Sequence, residues 1–266
     1  MNLVGAAVGP PVRWLRRSPR ARWVFAGTAF ASITGALVLV WPERGPAALP
    51  DGSGFDTPQE KKAAFINYLV PFVREINAGI LRDRQRLQAM RKRVAEGGQP
   101  GFFDARWINQ LAARYEWELP DPINVTALDL LLVRVDVVPA SLVLAQAAEE
   151  SGWGSSRFAR HGNNLFGMRA YDGKGLVPRA RERGEKFRVA TYESVHDSIE
   201  DYINNLNTGD NYLQLRMARR DLRRRGQPAS GLTLAAGLGG YSGRGADYIE
   251  AIRAIIQGNK LGRFDS

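Results

Sequence analysis

Two adjacent carboxylates, Glu149 and Glu150, close the stretch Val138-Pro-Ala-Ser-Leu-Val-Leu-Ala-Gln-Ala-Ala-Glu-Glu-Ser-Gly-Trp-Gly154. Small and aliphatic residues run from Pro139 to Ala148, broken only by Gln146, which describes a helix buried on most sides. Pro139 suits the first turn, where a missing N–H costs nothing. Gly152 and Gly154 stop the helix, with Trp153 held between them. A carboxylate in the last turn faces the negative end of the macrodipole, and apolar neighbours add a desolvation penalty. Both effects raise its pKa. A carboxylic acid raised in this way holds its proton near neutral pH and can donate it to a leaving group. The competing reading is two solvated glutamates at a frayed helix end.

Composition narrows the chemistry further. The chain has 266 residues and no cysteine, so neither a disulfide framework nor a thiolate metal site can form. Its two histidines, His161 and His196, exclude a histidine-rich metal site. Carboxylates are left to carry acid–base work, and no metal or organic cofactor is expected. The formal net charge is +10, which suits an anionic partner: nucleic acid, acidic lipid or an anionic cell-wall polymer. Half of that excess is local. Residues 1–50 hold six arginines and one acid, for +5, and the other 216 residues carry the remaining +5.

The elements that must position Glu150 follow from periodicity and breakers. Behind Arg13, Arg16, Arg17, Arg20 and Arg22, the stretch Trp23–Trp41 runs nineteen residues without a charge. That length spans a bilayer, tryptophans suit both interfaces, and the preceding arginines place the N-terminus in the cytoplasm. A cleavable signal peptide is the rival, although its apolar core is usually about 7–15 residues. Prolines and glycines mark residues 42–57 as a linker. A helix is expected from Pro58 to Glu96, with Phe65, Tyr68, Leu69, Phe72, Val73 and Ile76 on one face, and a second from Asp104 to Tyr115. Thr126 to Asp129 reads as a capping box opening a short helix. After Phe166-Gly167 the texture turns to strand: Met168–Tyr171, Leu176–Ala180 and Phe187–Tyr192 suggest a hairpin or three-stranded flap. Helices resume from Ser194, from Tyr212 to Arg225, and around Tyr248 to Ile256. The arginines of the Tyr212–Arg225 helix read as a solvated face, with a polyanion site as the rival. The glycine-rich loop Gly237–Gly245 lacks a Lys-Ser/Thr ending and follows no strand, so it does not match a phosphate-binding loop.

Five patterns occur in one order: Gln146-Ala-Ala-Glu-Glu-Ser-Gly-Trp-Gly154, Asn163-Asn-Leu-Phe-Gly167, Phe187-Arg-Val-Ala-Thr-Tyr192, Ser198-Ile-Glu-Asp-Tyr202 and Gly240-Tyr241. This series resembles the β-N-acetylglucosaminidase family of bacterial peptidoglycan hydrolases, glycoside hydrolase family 73, and most of all its Bax branch, which adds helices before the core. The resemblance implies an α+β, mostly helical fold: a lysozyme-like catalytic lobe with a small β-hairpin flap, preceded by extra helices, to which the charge-free run adds an N-terminal transmembrane helix. The expected organisation is a basic cytoplasmic segment (1–22), a transmembrane anchor (23–41), a linker (42–57), a packed helical region (58–124) and the catalytic domain (125–266).

The implied activity is cleavage of peptidoglycan glycan strands after N-acetylglucosamine. Glu150 matches the motif glutamate and would be the general acid, while Glu149 faces about 100° around the helix. Tyr241 matches the tyrosine facing the cleavage point, where its hydroxyl would bond the N-acetyl group or order a water. Asn163, Asn164 and Phe166 match a groove-lining turn. The asparagines serve there as turn residues or as sugar partners, and Phe166 as core or platform. Trp153 and Tyr248 join the substrate-binding candidates. The second carboxylate is sought on the flap, where Glu182 is favoured and Glu185 comes next, with Glu193 just beyond. A separation of about 6.5–9.5 Å from the acid predicts inversion and about 5–5.5 Å retention, and a larger one admits the substrate's own acetamido group as nucleophile. Expected partners are the glycan and the bacterial inner membrane, with the catalytic domain in the periplasm or otherwise outside the membrane. No nucleic acid is expected, because that placement argues against it. The alternative reading is a catalytically inactive wall-binding module.

Overall fold

Helix α4 (Ala140–Ser151) is the axis of the fold. Every residue from Ala140 to Ala148 is buried, so the helix has no solvent face and needs cover on all sides. The cover comes from α1 (Pro58–Ala95), α8 (Gly231–Leu234), α9 (Ala246–Gly258) and a closing 3-10 turn, Leu261–Phe264. One carboxylate gathers the start of α4: Asp265 accepts from the Ser141 amide (2.8 Å), the Ser141 hydroxyl (2.7 Å) and the Gly231 amide (3.1 Å). Gly231 has to be glycine, since a Cβ there would lie 2.1 Å from Ser141 Oγ.

The computed structural model describes residues 49–50, 54–171, 173, 175–178 and 187–265. The basic segment and the expected span, residues 1–41, lie outside the described residues, as do Glu182 and Glu185. Among the described residues, no helix is long and apolar enough to cross a membrane.

The long helix expected from Pro58 is present over 38 residues. Its Thr57–Glu60 capping box is reciprocal, with Pro58 in the first turn. Phe65, Leu69, Val73, Ile76, Ile80 and Leu87 line its buried face. Helices α2 (Phe102–Arg114) and α3 (Val125–Arg134) follow. The cap of α3 differs from expectation. Asn124, not Thr126, accepts the first free amide, from Ala127 at 2.9 Å, because the helix starts two residues earlier.

The flap is the only sheet among the described residues. Strands β1 (Arg169–Ala170) and β2 (Arg188–Val189) pair antiparallel, and Leu176 bridges the other edge at Val189, so three short segments meet as the strand texture implied. Its root is bonded inward: the Ala190 amide donates to Met168 O and the Tyr192 amide to Gly162 O. The short α5 (Arg157–Gly162) lies between α4 and the flap, and α6 (Val195–Thr208) follows it.

Helix α7 (Leu213–Arg224) corrects the expectation of a solvated basic face in part. Arg216 and Arg219 are buried at 2% and 0% exposure and point inward, whereas Arg220 is half-buried and Arg223, Arg224 and Arg225 are exposed. Arg219 donates to the carbonyls of Val133, Asp136 and Val137. Arg223 grips the Asp136 carboxylate with both Nε and Nη2, and Arg84 from α1 lies 3.5 Å from the same group. These arginines stitch α7 and α1 to the turn that feeds α4.

Candidate active site

The helix end that carries Glu150 is built by the motif around it. The amides of Gly152 and Trp153 both close on the carbonyl of Ala148. Gly152 (φ 58°), Trp153 (φ 58°) and Gly154 (φ 78°) then run through the left-handed region that favours glycine. Ser151 locks the turn, donating its hydroxyl to Ala147 O and accepting the Gly154 amide at 2.7 Å. A Cβ at Gly154 would stand 3.1 Å from both Leu49 and Phe65. The helix therefore stops one residue past Glu150, leaving that carboxylate in its last turn.

Glu150 is half-buried beneath tyrosines. Tyr248, on the first turns of α9, donates its hydroxyl to Glu150 Oε1 at 2.8 Å. Tyr248 in turn accepts from Gln146 Nε2 at 2.9 Å, and the Tyr202 hydroxyl donates to Gln146 Oε1. Tyr241 stacks on Tyr248 with ring centres 5.4 Å apart and planes 10° from parallel, while Tyr202 stacks on Phe166 at 3.8 Å. Burial pushes Glu150 above the ordinary carboxylate value and the Glu149 charge adds to that push. The Tyr248 hydrogen bond and Arg244 pull the other way. Burial also raises the four phenols: Tyr212 reaches about 12, and Tyr202, Tyr241 and Tyr248 also rise. All four remain protonated donors at any working pH. Glu149 is removed from contention by its partner, since Arg244 donates to its Oε1 at 2.8 Å.

The remaining candidates divide cleanly. Tyr241, Tyr248 and Glu150 are brought together. Tyr241 spends its hydrogen on the Phe166 carbonyl at 3.0 Å, so its oxygen is left as an acceptor. Asn164 is buried and fully used: its amide donates to Met168 O and Ala190 O, and its oxygen accepts from the Phe166 and Met168 amides. It is a turn residue that anchors the flap. Asn163, at φ 51°, caps α5 and donates to the carbonyls of Tyr192 and Glu193. Phe166, 3% exposed, is core. Trp153 packs edge-on against Phe65 with Lys62 over its ring, outside the Glu150 network. Glu193 is exposed. A cleft of about 420 Å³ is lined by Asp210, Asn211, Gln214, Gly237, Gly239 and Gly240, the last being the residue before Tyr241. One donor set among the described residues is close enough to share a cation, His196, Asp197 and Glu200 within 4.8 Å, and it shares no member with the Glu150 network.

Gln146 and Tyr202 are the residues that motif reasoning left unassigned. The signal for Gln146 was present, since a lone amide in an apolar helix must find partners.

The family model for glucosaminidase, described as mannosyl-glycoprotein endo-beta-N-acetylglucosaminidase, matches residues 131–261. Over 214 residues the chain is 31% identical to Protein bax of Escherichia coli (strain K12), a match covering 80% of this chain and 75% of that one. The chain belongs to the glucosaminidase family. As a glucosaminidase it is a glycoside hydrolase, and the matched segment runs from within α3 to the closing 3-10 turn, containing Glu150, Tyr241 and Tyr248. The likeness to Protein bax is longer than that segment. A solved structure, the catalytic domain of the autolysin Auto from Listeria monocytogenes, is 22% identical and covers 63% of this glucosaminidase and 90% of that chain, at a TM-score of 0.38.

Proposed function

We propose that this glucosaminidase is an endo-β-N-acetylglucosaminidase of peptidoglycan, cleaving the glycan strand after N-acetylglucosamine with Glu150 as general acid. The observation that carries the reading is the state of Glu150. It is half-buried and raised in pKa, held through Oε1 by Tyr248, and its Oε2 has no partner among the described residues. Burial shifts such a group towards its protonated form, and the unpartnered oxygen is the one open to a leaving group. Tyr241, with its lone pairs free, would accept the N–H of the N-acetyl group, and further sugars would follow the cleft along Gly237–Gly240. The lobe is read as lysozyme-like, with the glycan in a groove between the helices and the flap. Glu182 is proposed as the second carboxylate, ahead of Glu185. Both lie in the sequence between strands β1 and β2, and those strands are rooted on Asn164, beside the Phe166 carbonyl that holds Tyr241. The stretch 23–41 would anchor the chain in the cytoplasmic membrane, with the catalytic lobe on the far side.

The test incubates the full chain, and its Glu150→Gln variant, with purified peptidoglycan. Products are reduced with borohydride and identified by mass spectrometry. Fragments ending in reduced N-acetylglucosamine are expected from the wild type, with a loss of at least about 100-fold in the variant. Fragments ending in reduced muramic acid would overturn the bond assignment. Wall binding without any product would favour the inactive binding module.

A further inference from the structure

The bonds around Glu150 form a chain with a direction. Tyr202 Oη donates to Gln146 Oε1, Gln146 Nε2 donates to Tyr248 Oη, and Tyr248 Oη donates to Glu150 Oε1. Each hydroxyl has one hydrogen, and the Gln146 amide has a donor end and an acceptor end. Reversing the amide would present its oxygen to Tyr248, which would turn its hydrogen away from Glu150. The fully buried Tyr202 hydroxyl would then face an N–H and lose its acceptor. A buried donor without an acceptor is penalised by roughly 1–3 kcal/mol, so the observed direction is strongly preferred.

We propose that Gln146 and Tyr202, neither of which reaches solvent, are positioning residues that fix the direction of this chain, so that Tyr248 always donates to Oε1 of Glu150 and the acid's proton resides on Oε2. This rests on the reading of Glu150 as the acid and adds how the proton is placed. A proton on Oε1 would point at Tyr248, which already donates there, so two hydrogens would compete for one lone-pair direction. On Oε2 it meets no protein partner among the described residues and is free for the glycosidic oxygen. The chain thus protects a geometry, because a general acid must aim its proton at the leaving group.

The chain also sets how readily the proton leaves. A hydroxyl that itself accepts a hydrogen bond is the stronger donor, by about 10–30% per link. The carboxylate form of Glu150 is therefore favoured by every link upstream. The other groups facing it from neighbouring elements are Glu149 on its own helix, Arg244 before α9, and the phenols of Tyr202, Tyr212 and Tyr241. Of these, Glu149 opposes the carboxylate and Arg244 supports it. Deleting a link should raise the pKa of Glu150, and activity that needs its protonated form should persist to higher pH.

Tyr202→Phe keeps the ring on Phe166 and removes one atom, and Gln146→Leu removes the amide. Both are compared with wild type, as the full chain, for kcat and KM on soluble glycan strands across pH. We expect kcat to fall about tenfold or more with KM unchanged, and the alkaline limb to move up by roughly 0.2–0.6 pH units. Carbon-13 titration of the Glu150 carboxyl should show the same upward shift in the absence of substrate. A limb and a carboxyl titration that stay in place, with only stability or KM altered, would overturn the proposal and leave both residues as packing. The carboxyl titration needs no turnover. If the wild type proves inactive on glycan, the acid reading fails alone and the chain is still judged by the titration.

Discussion

Glu150 is held in a place that a charge disfavours, and the consequence reaches beyond catalysis. Its folded pKa lies above the unfolded value, chiefly through burial. Between those values the folded state binds more protons than the unfolded state, so stability declines as pH rises through that window. Above the folded pKa the whole penalty is present, and well below the ordinary carboxylate range there is none. Glu150→Gln keeps an oxygen to accept from Tyr248 and removes the charge. It should therefore melt higher than wild type at ~pH 8 and equal to it at ~pH 3. Thermal unfolding of both proteins at the two pH values checks this. An equal difference at both would mean that the carboxylate carries no buried penalty, and the acid assignment would lose its physical basis.

Among the elements, α7 shows how a charge pattern can hide a core. Its arginine run has the composition of a solvated face, yet Arg216 and Arg219 are buried and Arg223 is committed to Asp136. The reason is not local. Asp136 stands 83 residues away in sequence from Arg219, and no period in either stretch announces the pairing. One carboxylate there serves three guanidiniums, those of Arg84, Arg219 and Arg223. Burial, partly offset by Asp136, lowers the pKa of Arg219 to about 10. Removing the charge of Asp136 would leave that cluster uncompensated. Asp136→Asn should lose about 3–5 kcal/mol of stability, whereas Arg225→Ala, at an exposed position, should stay within ~0.5 kcal/mol. Urea midpoints at unchanged m-value read both. Equal midpoints for wild type and Asp136→Asn would show the cluster to be balanced by other means.

Other elements were legible to the degree that their signal was local. Helix α4 and its stop could be read from Pro139, the apolar run and two glycines. The face of α1 followed from the spacing of Phe65, Leu69 and Val73. Helices α5 and α8, with six and four residues, are too short to show a period. In the site, the place of Glu150, the proposed acid, was readable because its motif is also the helix stop. The supporting chain was not, because Gln146, Tyr202 and Tyr248 converge from α4, α6 and α9 only after packing.

At the scale of the whole molecule, the route by which the chain enters the domain constrains where it can act. Leu49 is packed against the core, at the place where a Cβ on Gly154 would touch it, and Arg160 donates to the Pro50 carbonyl at 3.2 Å. The entry point thus lies at the helix end that carries Glu150, four residues before Gly154. If residues 23–41 lie in the bilayer, as proposed, only residues 42–48 separate the membrane from that packed point. Seven extended residues reach about 25 Å. The acid would then be confined to glycan close to the membrane surface. Two measurements follow. The full chain should stay with membranes through an alkaline carbonate wash, and recovery in the supernatant would remove the anchor. Inserting about twenty Gly/Ser residues after Pro46 adds a coil of roughly 25 Å root-mean-square length. That insertion should leave turnover of soluble glycan unchanged and raise cleavage of intact wall by the membrane-bound enzyme. Equal wall cleavage with short and long tethers would mean that the entry point, whatever its position beside Glu150, does not limit which strands the glucosaminidase meets.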